Sequence, residues 1–76
     1  MKLRDAARTA FDTWLTEQDL NKGAVRVEFN NILSKFTTDS GLPISKNLMG
    51  RLLSPHFLKI TSSADDRTYY FVNKEL

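Results

Sequence analysis

The chain has 76 residues, of which 41% are hydrophobic and 26% charged, with a net charge of +2 and no cysteine. That length allows one domain, residues 1–76, near the size below which a core rarely gives more than about 3 to 5 kcal/mol of net stability, and leaves little room for an enclosed active site or a small-molecule substrate. The composition is too apolar for a disordered tail, the lack of cysteine excludes a disulfide scaffold or a thiolate metal site, and no apolar run or leader-like segment points to a membrane or to secretion, so a soluble cytoplasmic protein is expected.

Leu3, Ala6, Ala7, Ala10, Phe11, Trp14 and Leu15 recur at helical spacing and predict an amphipathic helix over residues 3–18. The opposite side carries Arg4, Arg8, Asp12 and Glu17, with Arg8 and Asp12 four apart and able to pair. Lys2, Arg4 and Arg8 could also reach a phosphate backbone, although a solvated face explains them as well. The polar run 19–22 reads as a turn closed by Gly23 in the left-handed conformation. Val25 and Val27 flank Arg26 in one step of strand alternation, which predicts a short strand over residues 24–27. From Glu28 to about Thr38 the pattern returns to helix, with Phe29, Ile32, Leu33 and Phe36 on one side. Asp39, Ser40 and Gly41 then break it, Gly41 serving as the cap.

Ser45 is a strong helix N-cap, and Ile44 before it can staple onto Met49 within, so a short helix is expected from Lys46. Leu48, Met49, Leu52 and Leu53 form its apolar side, leaving Lys46, Asn47, Gly50 and Arg51 outward. Pro55 ends it, because the residue before a proline is pushed out of the helical region. His56 reads as part of that stop. Residues 57–62 and 68–72 alternate as strands, joined by a turn at Ser63, Ala64, Asp65 and Asp66. Lys59 and Arg67 fall on these facing strands, where their like charges would oppose each other unless the aspartates or a phosphate lay between.

The order is thus helix, strand, helix, helix, strand, strand, an α+β class in which only a few residues separate the second and third helices, as in a helix-turn-helix pair. The first 42 residues balance six basic against six acidic side chains. The remainder sets Lys46, Arg51, Lys59, Arg67 and Lys74 against Asp65, Asp66 and Glu75, so the positive excess lies in the second half.

Val27, Phe29, Ile32 and Phe36, then Pro43-Ile44-Ser45, Leu48-Met49-Gly50-Arg51-Leu52-Leu53, Phe57-Leu58-Lys59-Ile60 and Arg67-Thr68-Tyr69-Tyr70-Phe71, together make a pattern. It resembles the winged helix-turn-helix domain that closes many phage, plasmid and poxvirus-type primase-helicases. The likeness spans roughly residues 20 to 74. It implies a three-helix winged helix with a small antiparallel sheet and a partner in double-stranded DNA, within a replication or regulatory protein of a phage or other mobile element. It further implies that Ser45, Lys46, Asn47, Gly50 and Arg51 of the third helix meet the major groove, with Lys59 and Arg67 along the wing. Arg51 and Asn47 are also the side chains that chemistry expects at guanine and adenine edges, and an anion near Lys46 would relieve its poor fit to the helix dipole. One departure stands out: Asp65 and Asp66 at the wing tip would repel phosphates. Either the wing stays off DNA, or the fold is a protein-docking module that uses the wing.

Other chemistry is thin. Asp65 and Asp66 lack a third ligand for a metal, and no phosphate loop, nucleophile elbow or zinc spacing occurs, so neither cofactor nor catalysis is expected. Tyr69, Tyr70, Phe57 and Phe71 could stack bases, but alternation must bury half of them.

Overall fold

A computed structural model of the chain describes residues 3–76. Three helices and three strands alternate in the expected order: α1 (Leu3–Gln18), β1 (Lys22–Glu28), α2 (Phe29–Ser40), α3 (Lys46–Leu53), β2 (Lys59–Ser62) and β3 (Arg67–Val72). The strands form one antiparallel sheet of order β1-β3-β2, so the first strand lies against the last and β2 is an edge.

The helices close over one face of this sheet. Ala7, Phe11, Trp14 and Leu15 of α1 and Ile32 and Phe36 of α2 are buried with Met49, Leu52 and Leu53 of α3 and with Val27, Tyr70 and Val72 of the sheet. At the centre the Phe36 ring stands edge-on to both Phe11 and Trp14, at centroid distances of 5.5 Å each, the geometry that aromatic quadrupoles favour. The Trp14 indole N–H donates to the Asp39 carboxylate at 2.8 Å, which satisfies the one polar atom of that ring and ties α1 to the end of α2.

The punctuation differs from expectation in instructive places. Gly23 does not close the first helix. Asp19 takes the left-handed conformation (φ 53°) instead, with its own N–H donating to the Thr16 carbonyl and the Leu20 N–H reaching back to Leu15. These two bonds, with Leu15 and Leu20 both buried, form a Schellman end, and Asp is among the few residues that tolerate that backbone. Gly23 lies within β1, which extends beyond residues 24–27 at both ends and carries a bulge between Lys22 and Val25. A β-carbon at Gly23 would run into the carbonyl of Val72, so here glycine answers to close backbone approach and not to a turn. Asn73 holds the same corner: its side chain accepts from the Asn21 N–H and donates to the Asp19 carbonyl, both at 2.9 Å.

Helix α2 continues through Asp39 and Ser40, where a break was expected, and the Ser40 hydroxyl donates back to the Phe36 carbonyl at 2.7 Å. Gly41 caps it with φ 73°. Ser45 accepts from the Leu48 N–H at 3.2 Å, as an N-cap should, and Ile44 and Met49 share the buried cluster. Ser54 keeps helical angles despite preceding Pro55, since its N–H and hydroxyl both donate to the Gly50 carbonyl. Strand pairing starts later than expected in β2, at Lys59, and earlier in β3, at Arg67.

Candidate functional site

The third helix and the β2–β3 hairpin enclose an open cleft of about 400 Å³, lined by Lys46, Asn47, Gly50 and Arg51 from α3 and by Lys59, Thr68 and Tyr70 from the hairpin. Helical periodicity puts the α3 residues there. With Met49, Leu52 and Leu53 committed to the core, the turn-related positions 46, 47, 50 and 51 must face away from it. Strand alternation supplies the other wall. Lys59 pairs with Tyr70 and Thr61 with Thr68, so these four share the sheet face turned toward α3.

Five of the seven residues singled out by sequence therefore meet in one place: Lys46, Asn47, Gly50, Arg51 and Lys59. Ser45 does not line the cleft; its hydroxyl oxygen is used by the helix cap. Arg67 is also elsewhere. It pairs with Ser62, three positions along from the Lys59–Tyr70 pair and on the other face of the sheet, so the expected opposition of Lys59 and Arg67 does not arise. There its guanidinium binds Glu28 at 3.2 Å. Sequence reasoning weighed the tip aspartates against a phosphate as its partner and missed Glu28, which lies 39 positions away in the chain and becomes a neighbour only because β1 joins β3.

Asp65 is likewise spoken for. Its carboxylate accepts from the Tyr69 hydroxyl at 2.6 Å and from the Arg67 backbone N–H at 3.2 Å, which closes the hairpin tip. The Tyr69 hydrogen bond is the main cause that holds the Asp65 carboxyl below its ordinary range, and the same bond pushes the Tyr69 phenol up. Tyr69 also receives the Arg26 guanidinium over its ring, 4.6 Å from the centroid.

Gly50 has no structural reason to be glycine. Its backbone is helical, and a β-carbon added there would meet nothing within 4 Å. A helix-interior glycine costs about 0.5–1 kcal/mol relative to alanine, so the bare backbone at the cleft floor has value only if something approaches it closely. Lys46, Arg51 and Lys59 form no ion pair among the described residues, which leaves three uncompensated cations around that floor.

On the far side of α3, Arg51 also borders a groove with Arg8, Asp12 and His56. Asp12 lies 3.7 Å from His56, and no ion pair joins it to Arg8 among the described residues. His56 is more than a stop: half-buried, it rests with its ring 5.8 Å from that of Phe11. Lys2 and the Arg4 side chain fall outside the described residues. Of the four aromatics considered for stacking, Phe57 and Tyr70 are buried, whereas Tyr69 and Phe71 lie half-buried on the outer sheet face. No three His, Asp or Glu side chains among the described residues stand together as a metal site would require. Among the described residues no helix is long and apolar enough to cross a membrane.

Comparison with protein-family models, with curated proteins and with solved structures finds no match for this chain.

Proposed function

We propose that the chain is a winged-helix domain that binds double-stranded DNA, with α3 in the major groove and the hairpin as its wing, in a protein of phage or mobile-element replication or regulation. One observation carries the reading: three cations with no ion pair among the described residues, the Asn47 amide and a glycine that nothing in the fold requires converge on one cleft from two separate elements. The element order and the β1-β3-β2 sheet support the fold assignment, and an open, cationic, carboxylate-free cleft suits an anionic polymer. In this reading Asn47 and Arg51 would meet base edges, while Lys46 and Lys59 would meet phosphates. The proposal is one of binding and not of catalysis.

Salt dependence tests it. Each neutralised phosphate contributes about −0.9 to the slope of log affinity against log salt, so Lys46 and Lys59 give about −1.8, and raising salt from ~50 to ~200 mM weakens binding about 12-fold. Lys59→Gln reduces the slope to about −0.9, and the same step then costs about 3.5-fold. Arg67→Gln should leave it unchanged, because that charge is answered by Glu28. No duplex binding at ~50 mM salt, where even non-specific contacts are strong, would refute the reading.

A protein-docking module is the second reading, favoured by the carboxylates at the wing tip and the half-exposed aromatics beside them. The double reversal Lys46→Glu/Arg51→Glu separates the two: it abolishes DNA binding under the first and leaves protein association intact under the second.

A further inference from the structure

Two large apolar residues are conspicuously exposed among those described, Leu58 at 73% and Ile60 at 42%. Both belong to the edge strand or its entry, and both point to the outer face of the sheet, opposite the cleft. Leu58 sits across from Phe71, whose N–H donates to its carbonyl at 3.1 Å, and Ile60 pairs with Tyr69. The same bond fixes the direction of the backbone. With the carbonyl of Leu58 turned into the sheet, alternation turns the groups of Ile60 and Ser62 inward as well and leaves the N–H and C=O of Lys59 and Thr61 aimed out from the edge. An edge with free donors and acceptors beside exposed apolar side chains is a template for another strand.

We propose that this strand pairs with its own copy, β2 against β2 across a two-fold axis through Ile60. The sequence selects the occupant and the register. Antiparallel pairing of Lys59 with Thr61 of the second copy satisfies all four outward groups on each strand, sets Ile60 against Ile60, and places Leu58 opposite Ser62 with no like charges directly opposed. A shift that sets Lys59 against Lys59 opposes two cations. A shift the other way, Thr61 against Thr61, sets Ile60 against Ser62 and loses the apolar pair. One strand is thus complementary to itself in a single register, as an isologous interface requires. Lys59, the kind of residue that guards an edge, directs its side chain to the cleft face and not into the new seam. The axis stands perpendicular to the sheet, so both copies keep their α3 clefts on the same side of a six-stranded sheet. The strand is short, and an interface well below ~1,200 Å² gives a weak, reversible dimer.

Sedimentation equilibrium without DNA, at chain concentrations up to ~1 mM, reads this independently of any nucleic-acid binding. The wild-type chain should show a monomer–dimer equilibrium. Thr61→Pro removes only an outward N–H, which an edge strand tolerates, and should weaken dimerisation about tenfold or more. Because the chain has no cysteine, the register can be read by oxidative cross-linking: Ile60→Cys should couple to itself across a non-hydrogen-bonded pair, and Leu58→Cys should not. A wild-type chain that stays monomeric at ~1 mM, a dimer indifferent to Thr61→Pro, or equal cross-linking of the two cysteine variants would overturn the proposal.

Discussion

Gly50→Ala should move stability and binding in opposite directions, and few other substitutions in this chain could. In the middle of α3 glycine is the least favourable residue after proline, about 0.8–1.0 kcal/mol worse than alanine. A new β-carbon at position 50 meets no atom within 4 Å, and Gly50 carries no positive φ that would penalise it, so nothing offsets that gain. For a domain of this length ~1 kcal/mol corresponds to a rise in Tm of about 4–8 °C, well within reach of a thermal melt followed by circular dichroism. The methyl group nonetheless stands on the cleft floor between Asn47 and Arg51. If a nucleic-acid backbone or base edge descends to that floor, the methyl holds it off and weakens several contacts together, and an affinity loss of about tenfold corresponds to ~1.4 kcal/mol. The assay is a fluorescence titration of duplex DNA run beside the melt on the same protein. A stabilised variant that binds DNA as well as the wild type would show that the open glycine serves no ligand, and with it the main support for the cleft would fail. A destabilised variant would show that the space at position 50 is needed by the fold.

Gly23→Ala should do the reverse of Gly50→Ala and cost about 1–3 kcal/mol in urea unfolding, because its methyl has to displace the Val72 backbone; an unchanged midpoint would refute the close-approach account. Ser45→Ala should cost about 1 kcal/mol by removing the acceptor for the Leu48 N–H, and a loss below ~0.3 kcal/mol would mean that the cap contributes little. Tyr69→Phe should raise the Asp65 carboxyl toward its ordinary value of 3.8, as followed by carboxyl NMR titration, and an unmoved carboxyl would refute the assigned cause. The sign for stability follows. The folded Asp65 carboxyl lies below the unfolded value, so its contribution is in place above that value and is lost as pH falls through the folded one, a loss that Tyr69→Phe should diminish.

The long-period signals were legible and the local punctuation less so. Seven apolar positions at helical spacing gave α1 its limits, and Ser45 gave α3 its first turn, because in both cases the signal lies within the segment it describes. Gly23 misled for the opposite reason. A glycine after a helix has two physical uses, positive φ and tight approach, and only the neighbouring strand, 49 positions further on at Val72, decides between them. Asp19 could have been suspected, since Leu15 and Leu20 carry the spacing of a Schellman contact. The cleft was half visible: periodicity placed Lys46, Asn47, Gly50 and Arg51 on one side of α3, but the face of β2 that carries Lys59 depends on its register with β3, a long-range pairing. Arg67 lies outside the cleft for that same reason, one strand parity away from Lys59.

That parity also answers the objection raised by the acidic wing tip. Tyr69 lies on the outer face with Glu28 and Ile60, so the Asp65 carboxylate that accepts its hydroxyl is drawn to that face too, away from α3. Arg67 and Glu28 cancel beside it, and Arg26 covers the Tyr69 ring. On the outer face charge is thus consumed internally around an apolar edge, while on the inner face Lys46, Arg51 and Lys59 stand without a carboxylate. A carboxylate held on one side of a sheet repels a phosphate on the other only through intervening protein and, in ~0.15 M salt, at a separation comparable to the ~8 Å screening length. Asp66, one position on, makes no side-chain hydrogen bond among the described residues and is the remaining tip charge with a claim to repel. Asp66→Asn should therefore strengthen duplex binding modestly and Asp65→Asn should not, since the latter removes a charge that Tyr69 and the Arg67 N–H already hold on the outer face. Equal gains from the two changes in a salt-matched titration would show that both carboxylates face the ligand, and that the two faces of this sheet are not electrically distinct.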